Sequence, residues 1–117
     1  MSAAKLNLTN IEKGSTYRYT LCWKDAQKEP INLIGCTAKM HIRASIDNPL
    51  IVYELNTSNG GVTIIGELGR IDLLIPSSVT KTMRAMSAIY DIEIIFSGGE
   101  TYRLIEGTVV IKAGVTR

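Results

Sequence analysis

His41 is the only histidine in the chain, and that bounds the catalysis available to it. Metal sites and Ser–His or Cys–His dyads need histidine with partners converging from elsewhere. Alternation sets His41 between Lys39 and Arg43 on one side of a strand, where two cations oppose its protonation. A solvated strand histidine is the stronger reading, and a catalytic one the weaker. Asp91 and Glu93 share one side of another strand, with spacing that would suit an acid/base or Ca²⁺ pair. The simpler reading sets Lys39 and Arg43 opposite them, with Arg103 alongside, as a cross-strand ladder at ~0.2–1 kcal/mol per pair. Tyr17, Tyr19 and Trp23 recur at a spacing of two and could stack nucleobases, yet aromatics repeated along one side of a strand more often fill a core.

The remaining reactive types say less. Cys22 and Cys36 are the only thiols; in a domain that can fill its own core they read as buried, reduced hydrophobes and not as a bridge. Neither Asn59-Gly60-Gly61 nor Gly66-Glu67-Leu68-Gly69 leads into a helix with a following Lys-Ser/Thr, so neither is a phosphate loop. Asn7-Leu8-Thr9 and Asn56-Thr57-Ser58 match the glycosylation pattern without a secretory signal. The residues assemble no catalytic constellation, no metal set and no cofactor site, and an enzyme is the least favoured class.

The elements that would position these residues are strands. Past Gly14, Tyr17, Tyr19, Leu21 and Trp23 alternate with Arg18, Thr20, Cys22 and Lys24, the pattern of a half-buried strand. Before it, residues 5–11 place Leu6 and Leu8 on one face of a short first strand. Residues 25–30 are polar and end in proline, hence a turn; residues 31–33 are a brief extended stretch. Ala38, Met40 and Ile42 mark a third strand, residues 45–49 a loop and residues 50–55 a short strand. Gly66-Glu67-Leu68-Gly69 has the length of a hairpin loop, and Ile71, Leu73 and Ile75 face inward on its return strand. Pro76 stops that strand, and Ser77 or Ser78 can cap a short helix carrying Val79, Met83 and Met86 at helical spacing. Tyr90, Ile92, Ile94 and Phe96 then share one face. In the last strand Tyr102 and Leu104 have the opposite parity to Val109 and Ile111, which requires an inserted residue, expected as a bulge near Glu106-Gly107.

At 117 residues the chain is one domain able to bury a core without metals or disulfides. A net charge of +2 is too small to imply nucleic acid or an anionic membrane. No run approaches the ~18 apolar residues of a bilayer span. No signal-like run follows Met1, so the chain is expected to be made and used without conventional secretion. Seven or eight short strands, turn signals between them and one short crossover helix predict an all-β, immunoglobulin-like antiparallel sandwich, with under roughly 15% helix against a typical 30–35%. Tyr90-Asp91-Ile92, opening a strand just after the crossover, stands where such sandwiches carry a tyrosine corner. Ile92 replaces the cysteine of antibody domains and Trp23 lies on the second strand, so the domain is not of the antibody type.

A family resemblance adds a functional expectation. The segments that carry it are Ile11-Glu12-Lys13-Gly14-Ser15-Thr16-Tyr17 through Leu21-Cys22-Trp23-Lys24-Asp25, then Pro30-Ile31-Asn32-Leu33 through Met40-His41-Ile42-Arg43, and Asn59-Gly60-Gly61-Val62-Thr63-Ile64. Ile75-Pro76-Ser77, Ala88-Ile89-Tyr90-Asp91-Ile92-Glu93, Tyr102-Arg103-Leu104-Ile105-Glu106-Gly107-Thr108-Val109 and Gly114-Val115-Thr116-Arg117 follow. In this order they resemble a family of small phage and prophage tail proteins, itself similar to the N-terminal immunoglobulin-like domain of baseplate upper proteins. The resemblance implies a non-catalytic virion protein, assembled in the host cytoplasm, that binds other phage virion proteins. It implies a homo-oligomer on a three- or six-fold axis and calls for no nucleic acid, membrane or cofactor. Where a baseplate upper protein would continue, this chain ends at Arg117, so a small stand-alone tail adaptor is expected. The alternatives are a capsid decoration or cement protein and a carbohydrate- or host-binding module, the last favoured if Tyr53 and Tyr102 are exposed. Backbone edges that extend a neighbour's sheet are the expected contacts, with Leu6 and Leu8 on the first strand and Val109 and Ile111 on the last as candidates.

Overall fold

The computed structural model describes residues 4–45 and 51–113. Their order is β1 (Ala4–Lys5), β2 (Ile11–Glu12), β3 (Tyr17–Cys22), β4 (Thr37–Arg43), β5 (Ile51–Asn56), β6 (Val62–Ile65), β7 (Arg70–Ile75), α1 (Ser77–Thr80), β8 (Met86–Ile95) and β9 (Thr101–Lys112). They form two sheets. The larger runs β1-β9-β8-β4-β5, with β2 also on β9, and the smaller runs β3-β7-β6. Every pairing between the longer strands is antiparallel; β1 and β2 run parallel to β9. The chain passes between the two sheets as it does in an immunoglobulin-like sandwich.

Burial follows the alternation. On β3 the Tyr17 and Leu21 side chains are buried and Arg18, Thr20 and Cys22 exposed. Met40 and Ile42 from β4, Ile71 and Leu73 from β7, and Ile92 and Ile94 from β8 are essentially sealed from solvent. Burying such a side chain stabilises by about 1.5–3 kcal/mol, so these six residues alone outweigh any surface charge pair. The Gly66–Leu68 loop is a 3₁₀ turn closed by Gly69 at φ 60°, as a hairpin of that length requires.

Several expectations need correction. The crossover helix is one turn, Ser77–Thr80, and Met86 opens β8 instead of continuing the helix. Met83 is buried all the same, reached through a turn. The register shift in β9 falls opposite Ile92/Glu93, where Ile92 pairs with Ile105 and Glu93 with Arg103. Leu104 is therefore the inserted residue, two positions before Glu106. Residues 31–33 join neither sheet; only Pro30 makes an isolated bridge, to Lys24. Leu50, most of the loop expected over 45–49, and Gly114 to Arg117 lie outside the described residues.

Tyr90 does not form a tyrosine corner. That motif returns its hydroxyl to backbone a few residues upstream, whereas here the hydroxyl donates to the Leu6 carbonyl at 2.6 Å. It ties β8 to the opening segment of the chain, and burial raises the phenol's pKa.

Candidate functional site

His41 sits on β4 directly across from Glu54 on β5 and Asp91 on β8. Its Nε2 lies 2.7 Å from Glu54 Oε1, and its Nδ1 lies 3.5 Å from Arg43 Nη2. A guanidinium can only donate, so Nδ1 accepts and the Nε2–H donates to Glu54. Both ring nitrogens are engaged. Glu54 also accepts from the Asn56 side-chain amide at 2.6 Å; that bond first, then the one from His41, holds its carboxyl below the ordinary range. Asp91 pairs with Arg103 at 3.2 Å, and Lys39 stands opposite Glu93. The expected charge ladder forms only in part: Lys39 faces Glu93 and Arg103 pairs with Asp91, but His41 stands opposite Asp91 and Arg43 faces Ile89. These contacts bind strand to strand. Among the described residues no cluster of three or more His, Cys, Asp or Glu could hold a metal ion.

The candidate edges divide. Lys5 to Glu12 is an outer segment of the larger sheet, but β9 is not an edge, since β8 flanks it on one side and β1 and β2 on the other. Val109 and Ile111 are buried at 1% and 2% exposure and face the core, which removes them as contact residues. Leu8 is buried too, and its N–H donates to the Thr108 carbonyl at 3.0 Å. Leu6, half-buried, donates its N–H to Glu106. Asn7 Oδ1 accepts from the Thr108 N–H and hydroxyl. Proline at Leu8 would thus break a bond inside the domain.

Thr80 is the sole fully buried polar side chain among the described residues. Its Oγ1 accepts from the Gly14 N–H at 3.0 Å and donates to the Ser15 carbonyl at 2.8 Å. The crossover turn is thereby bolted to the loop that starts β3. Thr80→Val keeps the shape and removes both bonds, and is expected to cost about 1–3 kcal/mol in urea unfolding. Thr80→Ser, which retains the hydroxyl, should be the milder change. Equal midpoints for Thr80→Val and the parent would show that these bonds contribute nothing.

The thiols are both free, but the expectation of two buried hydrophobes fails. Cys22 faces outward on β3 and is exposed, because it has the parity of Arg18 and Thr20; Cys36 is half-buried, and burial raises its pKa. Reactivity follows thiolate fraction and access. In the native protein a maleimide is expected to label Cys22 at least about tenfold faster than Cys36, read by mass spectrometry. Matched rates would contradict the placement.

Sequence reasoning missed one feature. Ile34 and Leu68 are 63% and 53% exposed, and Ile65 is 38% exposed. They lie together. The Leu33 N–H donates to the Gly66 carbonyl, and Ile34 packs so closely on Gly66 that a β-carbon there would stand 2.7 Å from Ile34 Cγ1. Ile65 and Leu68 flank that glycine. The one available signal was Ile34 between Leu33 and Gly35, an apolar residue whose neighbour already fills the core. Tyr53 and Tyr102 are half-buried; Tyr102 packs edge-on against Phe96 and donates its hydroxyl to Glu100.

No family model matches the chain, and no curated protein matches it. Among solved structures murine CRIg is similar at a TM-score of 0.41 and 8% identity, over 97% of this chain and 95% of that one. What this chain is, on its own geometry, is an immunoglobulin-like β-sandwich.

Proposed function

We propose that the chain is a non-catalytic phage virion protein, a tail or baseplate adaptor that binds other virion proteins. The family resemblance in segment order supports the virion assignment. The observation that carries a binding role is the exposed apolar cluster of Ile34, Ile65 and Leu68 around one turn. Apolar side chains grouped on a surface mark contact sites more often than scattered ones do. The occupant of this reading is an apolar surface of a neighbouring virion protein.

Mass spectrometry of purified particles from the phage or prophage encoding the chain is expected to find it at a fixed copy number. The double variant Ile34→Glu/Leu68→Glu should be lost from particles while the isolated domain melts within a few degrees of the parent. Absence of the parent chain from purified particles would overturn the virion reading. Reproducible binding on a glycan array would favour a host-binding module instead.

A further inference from the structure

We infer that two copies of this chain pair through their β3 strands, antiparallel about Thr20, joining the two small sheets into one of six strands. This inference concerns the isolated chain and stands apart from the virion assignment. It begins with the direction of the backbone groups. In an antiparallel ladder, alternate residues turn both their N–H and C=O toward the partner. The Trp23 N–H donates to the Gly69 carbonyl at 2.7 Å, continuing the register in which Leu21 meets Ile71, Tyr19 meets Leu73 and Tyr17 meets Ile75. The odd residues of β3 therefore bond to β7, and Arg18, Thr20 and Cys22 turn their backbone groups away from it. Among the described residues no backbone hydrogen bond reaches these three. The sheet stops at β3, three strands wide, where the immunoglobulin frame usually adds a further strand.

The other edges are less open. The opening segment offers only two strands of two residues each, and β5 is bulged at Val52, with its Glu54 carbonyl and Asn56 N–H taken by the Asn59 side chain. Strand β6 is four residues long, and the Gly66 carbonyl just past it is taken by Leu33. Strand β3 has six residues and carries neither proline nor bulge nor inward-pointing charge; its one charge is the outward-facing Arg18.

A second copy fits this edge because the strand is self-complementary. Pairing about Thr20 sets Arg18 against the partner's Cys22 and Tyr19 against the partner's Leu21. Parity is kept, so the inner row stays inside and the outer row outside. No cation meets a cation. The half-buried Tyr19 gains an apolar neighbour across the seam. Two six-residue strands cover less than the ~1,200–2,000 Å² of a standard interface, which places this dimer in the weak class.

Sedimentation equilibrium up to about millimolar chain, where a −4 kcal/mol association is half complete, is expected to show a monomer–dimer equilibrium. In a Cys22→Ser/Cys36→Ser background, Thr20→Cys should form disulfide-linked dimers on mild oxidation, since paired strand residues stand about 5.5 Å apart at Cα. Thr63→Cys, also exposed, should not. Cys22→Lys introduces two like-charge pairs across the seam and is expected to weaken the dimer about tenfold at low salt. Adding Arg18→Glu to Cys22→Lys should restore it. A chain monomeric throughout, equal cross-linking at Thr20 and Thr63, or a charge swap that fails to rescue would each overturn the inference.

Discussion

Gly107→Ala is expected to lower the stability of the domain by about 3 kcal/mol, the upper end of overpacking costs, and its Tm by about 10 °C. A β-carbon at this position would stand 2.0 Å from the Leu6 carbonyl oxygen and 2.7 Å from its carbon, closer than nonbonded atoms approach. Nothing flexible is available to give way, because the obstacle is backbone. That backbone is held from three sides, by the Leu6 N–H on Glu106, the Leu8 N–H on Thr108, and the Tyr90 hydroxyl on the Leu6 carbonyl itself. The alanine methyl must lift the opening segment off β9 and expose Leu8 and Ile11, which are 6% and 0% exposed in the native protein. Hydrogen exchange distinguishes this from a general loosening. The Leu6 and Leu8 amides should lose protection first, while those in the middle of β8 retain theirs. A variant melting within about 2 °C of the parent would mean that the close approach costs less than about 1 kcal/mol.

The need for glycine at 107 was not legible in the sequence, and the reason is physical. Alternation reports which side of a strand faces the core, and it marked Tyr17, Leu21, Met40, Ile42, Ile92 and Ile94 correctly because each sits in a regular ladder. It carries no information about which strand lies alongside. Val109 and Ile111 looked like edge residues because they are near a terminus, yet the first segment folds over the last strand and shuts that edge. The parity break in β9 announced a bulge but could not fix it between Leu104 and Glu106, since either position restores the observed faces at Val109 and Ile111. Met86 kept helical spacing from Val79 by coincidence over only two intervals, and the strand pairing of β8 with β9 overrode it. His41 was read as a strand histidine without catalytic partners, and its bond to Glu54 depends on β5 lying next to β4, which no local pattern states. The apolar cluster at Ile34, Ile65 and Leu68 was invisible for the same reason. Ile34 is 31 or more positions from the other two, which are three positions apart, and only the Leu33–Gly66 bond brings them together.

The part of the core that alternation did reveal supports the second large effect. Ile92 lies at the centre of β8, paired with Met40 on β4 and Ile105 on β9, and is 0% exposed. Ile92→Ala removes three carbons in a place where backbone hydrogen bonds on both sides prevent collapse, so transfer and cavity terms add. The expected cost is about 3–5 kcal/mol. A chain of this length has a total stability of roughly 6–17 kcal/mol, so the loss is a large fraction of it. Ile89, on the same strand with opposite parity, is the internal control; it is half-buried on the outer face, opposite Arg43 and Thr108. Ile89→Ala loses similar chemistry with no sealed cavity and should cost about 1 kcal/mol or less. Strand propensity is changed equally by the two substitutions, so their difference in guanidinium midpoint measures burial alone. If Ile89→Ala proved as damaging as Ile92→Ala, the outer face of the larger sheet would itself have to be covered. The place to look would then be an interface across β8 and β4, not the seam at β3.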